Sequence, residues 1–490
     1  MNNMGKIWLL HLCIMFTCFM RGEKKPYSAI DYSILSEQLR DNQQLAIALI
    51  SAQQALALEP HSSKTRILAG EILMQLHRER EAEKQFDKAL QYKPCQHEVK
   101  LKLANNLFAL GNHFYARHEI ERALQIYKKT AQLFPYSSAI QHNVGFALAE
   151  LNRPHEAIKA YEKALTIQPD LVETHFCLST AYLAAGNYKK GWAEYEWRWK
   201  KQGKDLHDLP YPIWQGEPLE EKTLLIRAEG ALGDTIHFLR YAQLIKKPSV
   251  TIVLQALSPL KTLLAQCDYI DAVITNRDKK PPIDFQVSSM SLPYLLQTNI
   301  DTVPNKTPYL HASDDLVRFW KETLFDHTTT FNIGICWQAD PYNDAQRPPF
   351  ARRNVPLKQL DPLAQLPNVA LFSLQKDGTT LVKDASFAVH TFGDYFDNTH
   401  GRFMDTAAVI KNLDLVISVD TSVAHLAGAL GVKTWVLLPF KSDWRWMTDR
   451  TDSPWYPKMK LFRNQKTTDW STVMQQVCQE LKKIVKKKGE

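Results

Sequence analysis

The stretch ISVDTSVAHLAGALG, residues 417–431, changes character at its fourth position. Ile417–Val419 ends the β-branched run LDLVISV (413–419), the pattern of a strand buried on both faces. Asp420, Thr421 and Ser422 are residues that start helices, and an Ala-rich segment follows them. Gly428 permits close packing of that helix and Gly431 ends it. A strand that passes through a polar turn straight into a helix is the building unit of a parallel α/β sheet. The turn itself has two readings. Asp420 and Thr421 are only caps and His425 is a satisfied core histidine, or the free N–H groups and dipole of the helix start hold an anion. On the second reading Thr421 and His425, four apart and so on one helix face, add donors to a phosphate.

The same strand–helix alternation extends in both directions. Strands are expected at TLLIRA (223–228), VTIVLQ (250–255), AVIT (272–275) and FQVSS (285–289). A second series is expected at FNIGICW (331–337), VALFSLQ (369–375), AVHTF (388–392), LDLVISV (413–419) and TWVLLP (434–439). Two series of similar size, split near 311–330, imply two Rossmann-like lobes facing one another. In a parallel sheet ligands bind beyond the carboxyl edge of the strands. The loops on that edge are GALGD (230–234), QADPYNDAQRPPFARRN (338–354), QKDG (375–378), DTS (420–422) and FKSDWRW (440–446). They carry most of the glycine, arginine, tryptophan and acid of the lobes, whereas a loop on the opposite edge, GVK (431–433), is bland.

In GALGDTIHFLRYAQLI, Gly230 and Gly233 leave a turn without side-chain bulk, and Asp234 begins a helix. Asp234 is either a helix cap or a carboxylate that projects into the cleft as a general base, kept ionised by the helix start.

Toward the N-terminus the period changes. Gly145, Ala157, Tyr161, Ala164 and Pro169 are repeated 34 residues earlier as Gly111, Ala123, Tyr127 and Pro135. Gly70, Ala82, Phe86, Ala89 and Pro94 form a third copy, Ala48, Ala52, Ala55 and Pro60 a weaker fourth, and Tyr182, Gly191 and Tyr195 continue the series. A slip of seven near HEVKLKL implies a longer loop or helix there. Residues 29 to about 205 thus resemble five tetratricopeptide repeats, helical hairpins with small residues at close contacts, an aromatic in the groove and a proline ending the second helix. Such arrays present a concave surface for protein or peptide; a plain helical bundle is the alternative.

The chain has 490 residues, too many for one core. Of its net charge of +8, five charges lie at Lys482, Lys483, Lys486, Lys487 and Lys488, a solvated helix face or a membrane-surface contact. No finger spacing, basic helix or aromatic-basic signature marks a nucleic-acid partner. Seven cysteines without CxxC pairs argue against a disulfide framework and structural zinc and fit a reducing compartment. The apolar run IWLLHLCIMFTCFM (7–20) has signal-peptide length but no small-x-small cleavage site, and Met20 is an alternative start. The reading is a cytoplasmic protein, with peripheral membrane attachment through either terminus as the alternative.

Residues 223 to about 480 resemble the bacterial heptosyltransferase-like glycosyltransferases, in the form fused behind tetratricopeptide repeats. The resemblance rests on GDTIH (233–237), SVDTSVAHLAGALG (418–431) and LLPFKSDWRW…SPWYP (437–457). It implies a GT-B fold, a nucleotide-sugar donor and chemistry without a metal or other cofactor. Asp234 would be the general base, and Gly233 with Asp420, Thr421, Ser422 and His425 would line the nucleotide-diphosphate site. Arg353, in RRNVP, would balance the diphosphate charge. Ser422 stands where heptosyltransferases often have glycine, so the heptose donor does not carry over. TDRTD (448–452) contains no DxD pair and no His/Asp cluster has metal spacing. Trp444, Trp446, Trp455 and Tyr456 either stack on sugar or base or pack the lobe interface.

The expected organisation is an apolar segment at 1–28, repeats at 29–205, an acceptor lobe at 206–330 and a nucleotide-sugar lobe at 331–490. The expected activity is glycosyl transfer to an acceptor, plausibly a protein, recruited by the repeats. The rivals are an inactive repeat scaffold and a nucleotide-binding regulator.

Overall fold

The computed structural model describes residues 27–202, 209–324, 330–376, 381–383, 385–466 and 468–489. The apolar run at 7–20 and the expected boundary at 205/206 lie outside them. The chain forms two compact units that divide at Asp170/Leu171.

The first unit is a run of helical hairpins, Ala29–Asp41 with Leu45–Leu58, Ser63–Gln75 with Glu79–Gln91, His97–Ala116 with Ile120–Leu133, and Ser138–Glu150 with Pro154–Ile167. Gly70, Gly111 and Gly145 each face the aromatic 16 residues on. A Cβ added at Gly111 would lie 2.5 Å from the Tyr127 ring, and one at Gly145 would lie 2.7 Å from Tyr161. Gly70 meets Phe86 in the same way. These aromatics and the alanines Ala82, Ala123 and Ala157 are buried. The slip of seven is taken up by the 20-residue helix His97–Ala116. The turn inside each hairpin is made by a left-handed residue that is not glycine: Gln43, His77, His118 and Asn152, with φ between 55° and 61°.

The second unit begins with the hairpin Val172–Ala184 and Tyr188–Tyr195 and the short helix Arg198–Gln202. The first lobe then forms a four-stranded sheet of β1 (Thr223–Arg227), β2 (Thr251–Gln255), β3 (Ala272–Ile274) and β4 (Phe285–Ser288), in the order β3-β2-β1-β4 and parallel throughout. The second lobe carries β5 (Phe331–Cys336), β6 (Val369–Ser373), β7 (Leu415–Val419), β8 (Thr434–Leu438) and β9 (Met459–Arg463), in the order β6-β5-β7-β8-β9, again all parallel. β5, β7 and β8 are buried along their whole length, as strands covered on both faces must be. Two parallel sheets with facing carboxyl edges make the GT-B architecture.

Two expectations for the second lobe are corrected. AVHTF is not a strand: His390 makes a single bridge to Phe372. The chain leaves the sheet there because Phe392 stacks on Phe396 at 4.1 Å and packs on Trp320 at 5.3 Å. The fifth strand is Met459–Arg463, at the edge beside β8.

One apolar core joins the last hairpin (Tyr188, Trp192), the first sheet (Leu224, Ile226) and the inner side of the second lobe (Val423, Trp446, Trp455). Another, under the far face of the second sheet, includes Ile333, Ile417, Val477 and Leu481. Among the described residues, no helix is long and apolar enough to cross a membrane.

Candidate functional site

Both lobes deliver a helix start to the same place. On the first lobe, β1 leads through Gly230, at φ +84°, into the helix Leu232–Phe238. On the second, β7 leads through Asp420 and Thr421 into the helix Ser422–Ala429. The two meet at Gly233, where an added Cβ would lie 3.1 Å from His425 Cδ2 and 3.5 Å from Ser422 Cα. Gly233 thus lets the helix starts approach, and a side chain there would hold them apart.

Asp234 both caps and pairs. Its Oδ2 accepts the Ala231 N–H at 2.8 Å, and its Oδ1 accepts a hydrogen bond from Arg445 Nη2 of the opposite lobe at 2.6 Å. Arg445 Nη1 donates to Asp443 Oδ1 at 2.9 Å. Its guanidinium lies over the rings of Trp444 and Phe238, 4.3 and 5.4 Å from their centroids. Burial works against the Arg445 charge, but Asp443 and Asp234 outweigh it and hold its pKa above the ordinary value.

Asp420 follows β7 with its side chain largely buried. Its carbonyl accepts from Arg353 Nη1 at 3.0 Å, and its carboxylate stands 4.0 Å from that group. Burial and then the nearby Asp443 push the Asp420 carboxyl above the usual range. Burial opposes ionisation of Asp443 as well, but Arg445 holds Asp443 below that range. Arg353 is fixed through its own N–H, which donates to Asp344 Oδ1 at 2.8 Å. Arg353 and Arg445 share one feature: neither buried Nε–H makes a hydrogen bond among the described residues, although Arg353 Nε stands 3.9 Å from Asp344 Oδ1. Two fixed guanidinium charges on loops of one sheet edge suit an anionic ligand.

Thr421 stands at the cap position of its helix, yet its side chain makes no capping bond and instead meets Ser418 Oγ at 3.1 Å. Ser422, half-buried, follows it. His425 Nδ1 lies 2.8 Å from the Tyr456 hydroxyl, and its ring stacks on Trp446 at 5.4 Å. Burial, helped by Arg445 and Arg240, depresses the His425 pKa to about 3, so the imidazole is neutral. It can act on a phosphate as a neutral hydrogen-bond donor but not as a cation. His237, one turn into the facing helix, is fully buried and held neutral in the same way.

Stacking on sugar or base, one of the two roles offered for Trp444 and Trp446, does not fit this geometry. Trp446 is fully buried, Trp444 is nearly so, and Trp444 packs edge-on to Trp192 at 5.2 Å. Trp455 and Tyr456 are buried too. Gly428 has its packing role, since a Cβ there would lie 2.5 Å from the Tyr456 ring, and Gly431 ends the helix at φ +72°.

Sequence reasoning singled out the loop FKSDWRW but not Arg445 and Asp443 within it. Their two-residue spacing is common in surface turns, and only the opposite lobe reveals that Arg445 reaches Asp234. Arg240, buried and donating to the Trp455 carbonyl at 2.6 Å, was also missed. No group of three or more His, Cys, Asp or Glu side chains among the described residues could hold a metal ion.

The tetratricopeptide repeat family matches residues 95–170. Residues 95–170 are tetratricopeptide repeats. The hairpin 63–91 on their N-terminal side has the same contact, Gly70 on Phe86. Protein FlbA of Caulobacter vibrioides is 25% identical over 391 residues, which cover 74% of this chain. The match spans 64% of the length of that relative. Among solved structures, YrrB, a tetratricopeptide protein with an unusual peptide-binding site, is 19% identical with a TM-score of 0.31 and covers 39% of this chain and 94% of its own. A glycosyl transferase family 9 structure from Veillonella parvula is 11% identical with a TM-score of 0.39, covering 55% of this chain and 92% of its own.

Proposed function

We propose that the chain is a glycosyltransferase that moves a sugar from a nucleotide-sugar donor to a hydroxyl acceptor. The observation that carries this reading is the meeting of Asp234, from the first lobe, with the Arg353, Arg445 and His425 cluster of the second. A departing nucleoside diphosphate gains negative charge as the glycosidic bond breaks. Arg353 and Arg445, as fixed positive charges, and the amides that open the helix Ser422–Ala429 stabilise that charge. The anomeric carbon gains positive character, and Asp234 takes the proton of the attacking hydroxyl. His425 and Thr421 orient the diphosphate, and Gly233 keeps both helix starts close enough to act on one ligand. Asp420 and Asp443 anchor the two arginines from behind. The repeats recruit the acceptor, a protein or peptide, along their concave face.

The runner-up is a repeat scaffold without transferase activity, and one observation favours it: both Asp234 oxygens are already engaged, by Ala231 and Arg445. Incubating the purified chain with a panel of nucleotide sugars, while following donor hydrolysis and thermal shift, separates the readings. Donor hydrolysis supports the enzyme. A thermal shift alone supports a nucleotide-binding regulator, and neither response supports the scaffold.

A further inference from the structure

Arg198, in the short helix after the last hairpin, has no part in the chemistry above, yet its side chain is only 1% exposed. Nε donates to both Glu229 oxygens at 2.9 and 3.1 Å, and Nη2 reaches Glu229 Oε2 at 2.9 Å and Ser291 Oγ at 2.8 Å. Nη1 donates to Glu196 Oε1 at 2.7 Å and to the Tyr195 carbonyl at 3.2 Å. The rings of Tyr195 and Trp199 lie 5.0 and 4.5 Å from the guanidinium carbon. Glu229 also accepts from Ser288 Oγ at 2.5 Å. A cation buried this deeply is held by its fork of donors, and a lysine could not reproduce the two-oxygen grip.

The other end of this network is the turn that carries Asp234. Glu229 directly precedes Gly230, and a Cβ on Gly230 would lie 2.5 Å from Asp234 Oδ2 and 2.7 Å from Met290 Cε. The Tyr195 hydroxyl donates to Met290 Sδ at 3.6 Å. The turn is therefore gripped from behind at two points, directly through Glu229 by the helix after the last hairpin and indirectly through Met290 by the hairpin's last residue.

We propose that Arg198 is a positioning residue: its fork on Glu229 fixes the 229–234 turn in the conformation that presents Asp234 to the cleft. The last hairpin is on this view part of the apparatus that sets the base, not only a surface for partners. The catalytic meaning rests on the reading of Asp234 given above, whereas the clamping of the turn does not.

The test uses the full chain with Arg198→Met and Arg198→Lys, read by amide hydrogen exchange and by turnover. In Arg198→Met, exchange over 229–235 should speed by about tenfold or more while 417–431 keeps its wild-type rates. Turnover should fall by about tenfold or more with donor affinity unchanged, and Arg198→Lys should lie between the two proteins. Unchanged exchange over 229–235, or equal acceleration throughout 171–489, overturns the proposal. Should Arg198→Met not fold, Glu229→Gln removes the same charge pair and is read in the same way. A wild-type chain that transfers no sugar removes the role of Asp234 as base, while the exchange pattern still decides whether Arg198 clamps the turn.

Discussion

Asp234 Oδ1 and Arg445 Nη2 meet at 2.6 Å across the two lobes, and the same carboxylate caps its own helix through Ala231. The two roles first posed as alternatives for Asp234, cap and cleft-facing acid, are held by different oxygens of one group. On the function proposed above, an ion pair at that spot places a carboxylate and a guanidinium where an acceptor hydroxyl and a diphosphate would have to be brought together.

Asp234→Asn is expected to lower transfer by about 10²–10⁴-fold, the usual contribution of a general base. The amide oxygen can still accept from Arg445, so nucleotide-sugar affinity measured by calorimetry should stay within about twofold of wild type. Normal turnover in this variant would rule out the base.

His425→Ala is expected to weaken binding of a nucleoside diphosphate by about tenfold or more, the value of a hydrogen bond to a charged group. Because the ring is neutral, with its pKa pushed down to about 3, this loss should be nearly flat between pH 5 and 8. An affinity loss that tracked protonation near pH 6.5 would mean that the ring acts as a cation instead.

Arg353→Met should cost turnover more than ground-state binding, by roughly 10²-fold in kcat, if its guanidinium meets charge that develops as the donor breaks. Steady-state kinetics separate the two effects. A rise in KM at constant kcat would assign Arg353 to donor binding alone.

Stability should fall as the solution is acidified. His425 and His237 both have pKa values depressed by burial, so the unfolded chain binds their protons first. Their stabilising contribution is complete above the unfolded value of about 6.5 and declines as pH falls from there toward the folded values. Denaturant melts followed by tryptophan fluorescence at pH 7.5 and 5 should show the decline, and His425→Gln should make it shallower.

Gly145→Ala should destabilise the first unit by about 1–2 kcal/mol. Alanine improves helix propensity, but its Cβ would press on the buried Tyr161 ring at 2.7 Å, and overpacking is the larger effect. A lowered midpoint in denaturant melts of the repeats checks the sign.

The repeats could be read from sequence because their contacts are local: Gly111 meets Tyr127 and Gly145 meets Tyr161 at a fixed spacing of 16. The strands of both lobes were legible wherever a β-branched run is buried on both faces. Met459–Arg463 escaped because Lys460 and Arg463 interrupt its apolar pattern, as charges on an edge strand do. AVHTF has the composition of a strand, but Phe392 is claimed by an aromatic cluster with Trp320 and Phe396, a contact between positions far apart in the chain. The site followed the same rule. Gly233, Asp234, Asp420 and His425 lie in the turns after β1 and β7 or in the helices those turns open, and their position on the sheet edge follows from strand order. Arg445 and Arg198 act on residues 211 and 31 positions away, and nothing near them in sequence names those partners.

The last hairpin touches both halves of the cleft. Trp455 Nε1 donates to the Tyr188 hydroxyl at 3.1 Å and Trp192 packs against Trp444 on the second lobe, while Arg198 holds Glu229 on the first. Any swinging of one lobe against the other would have to break or slide one of these attachments. The hairpin and the short helix after it therefore bridge the two lobes, and the width of the cleft is tied to the packing of three side chains outside it.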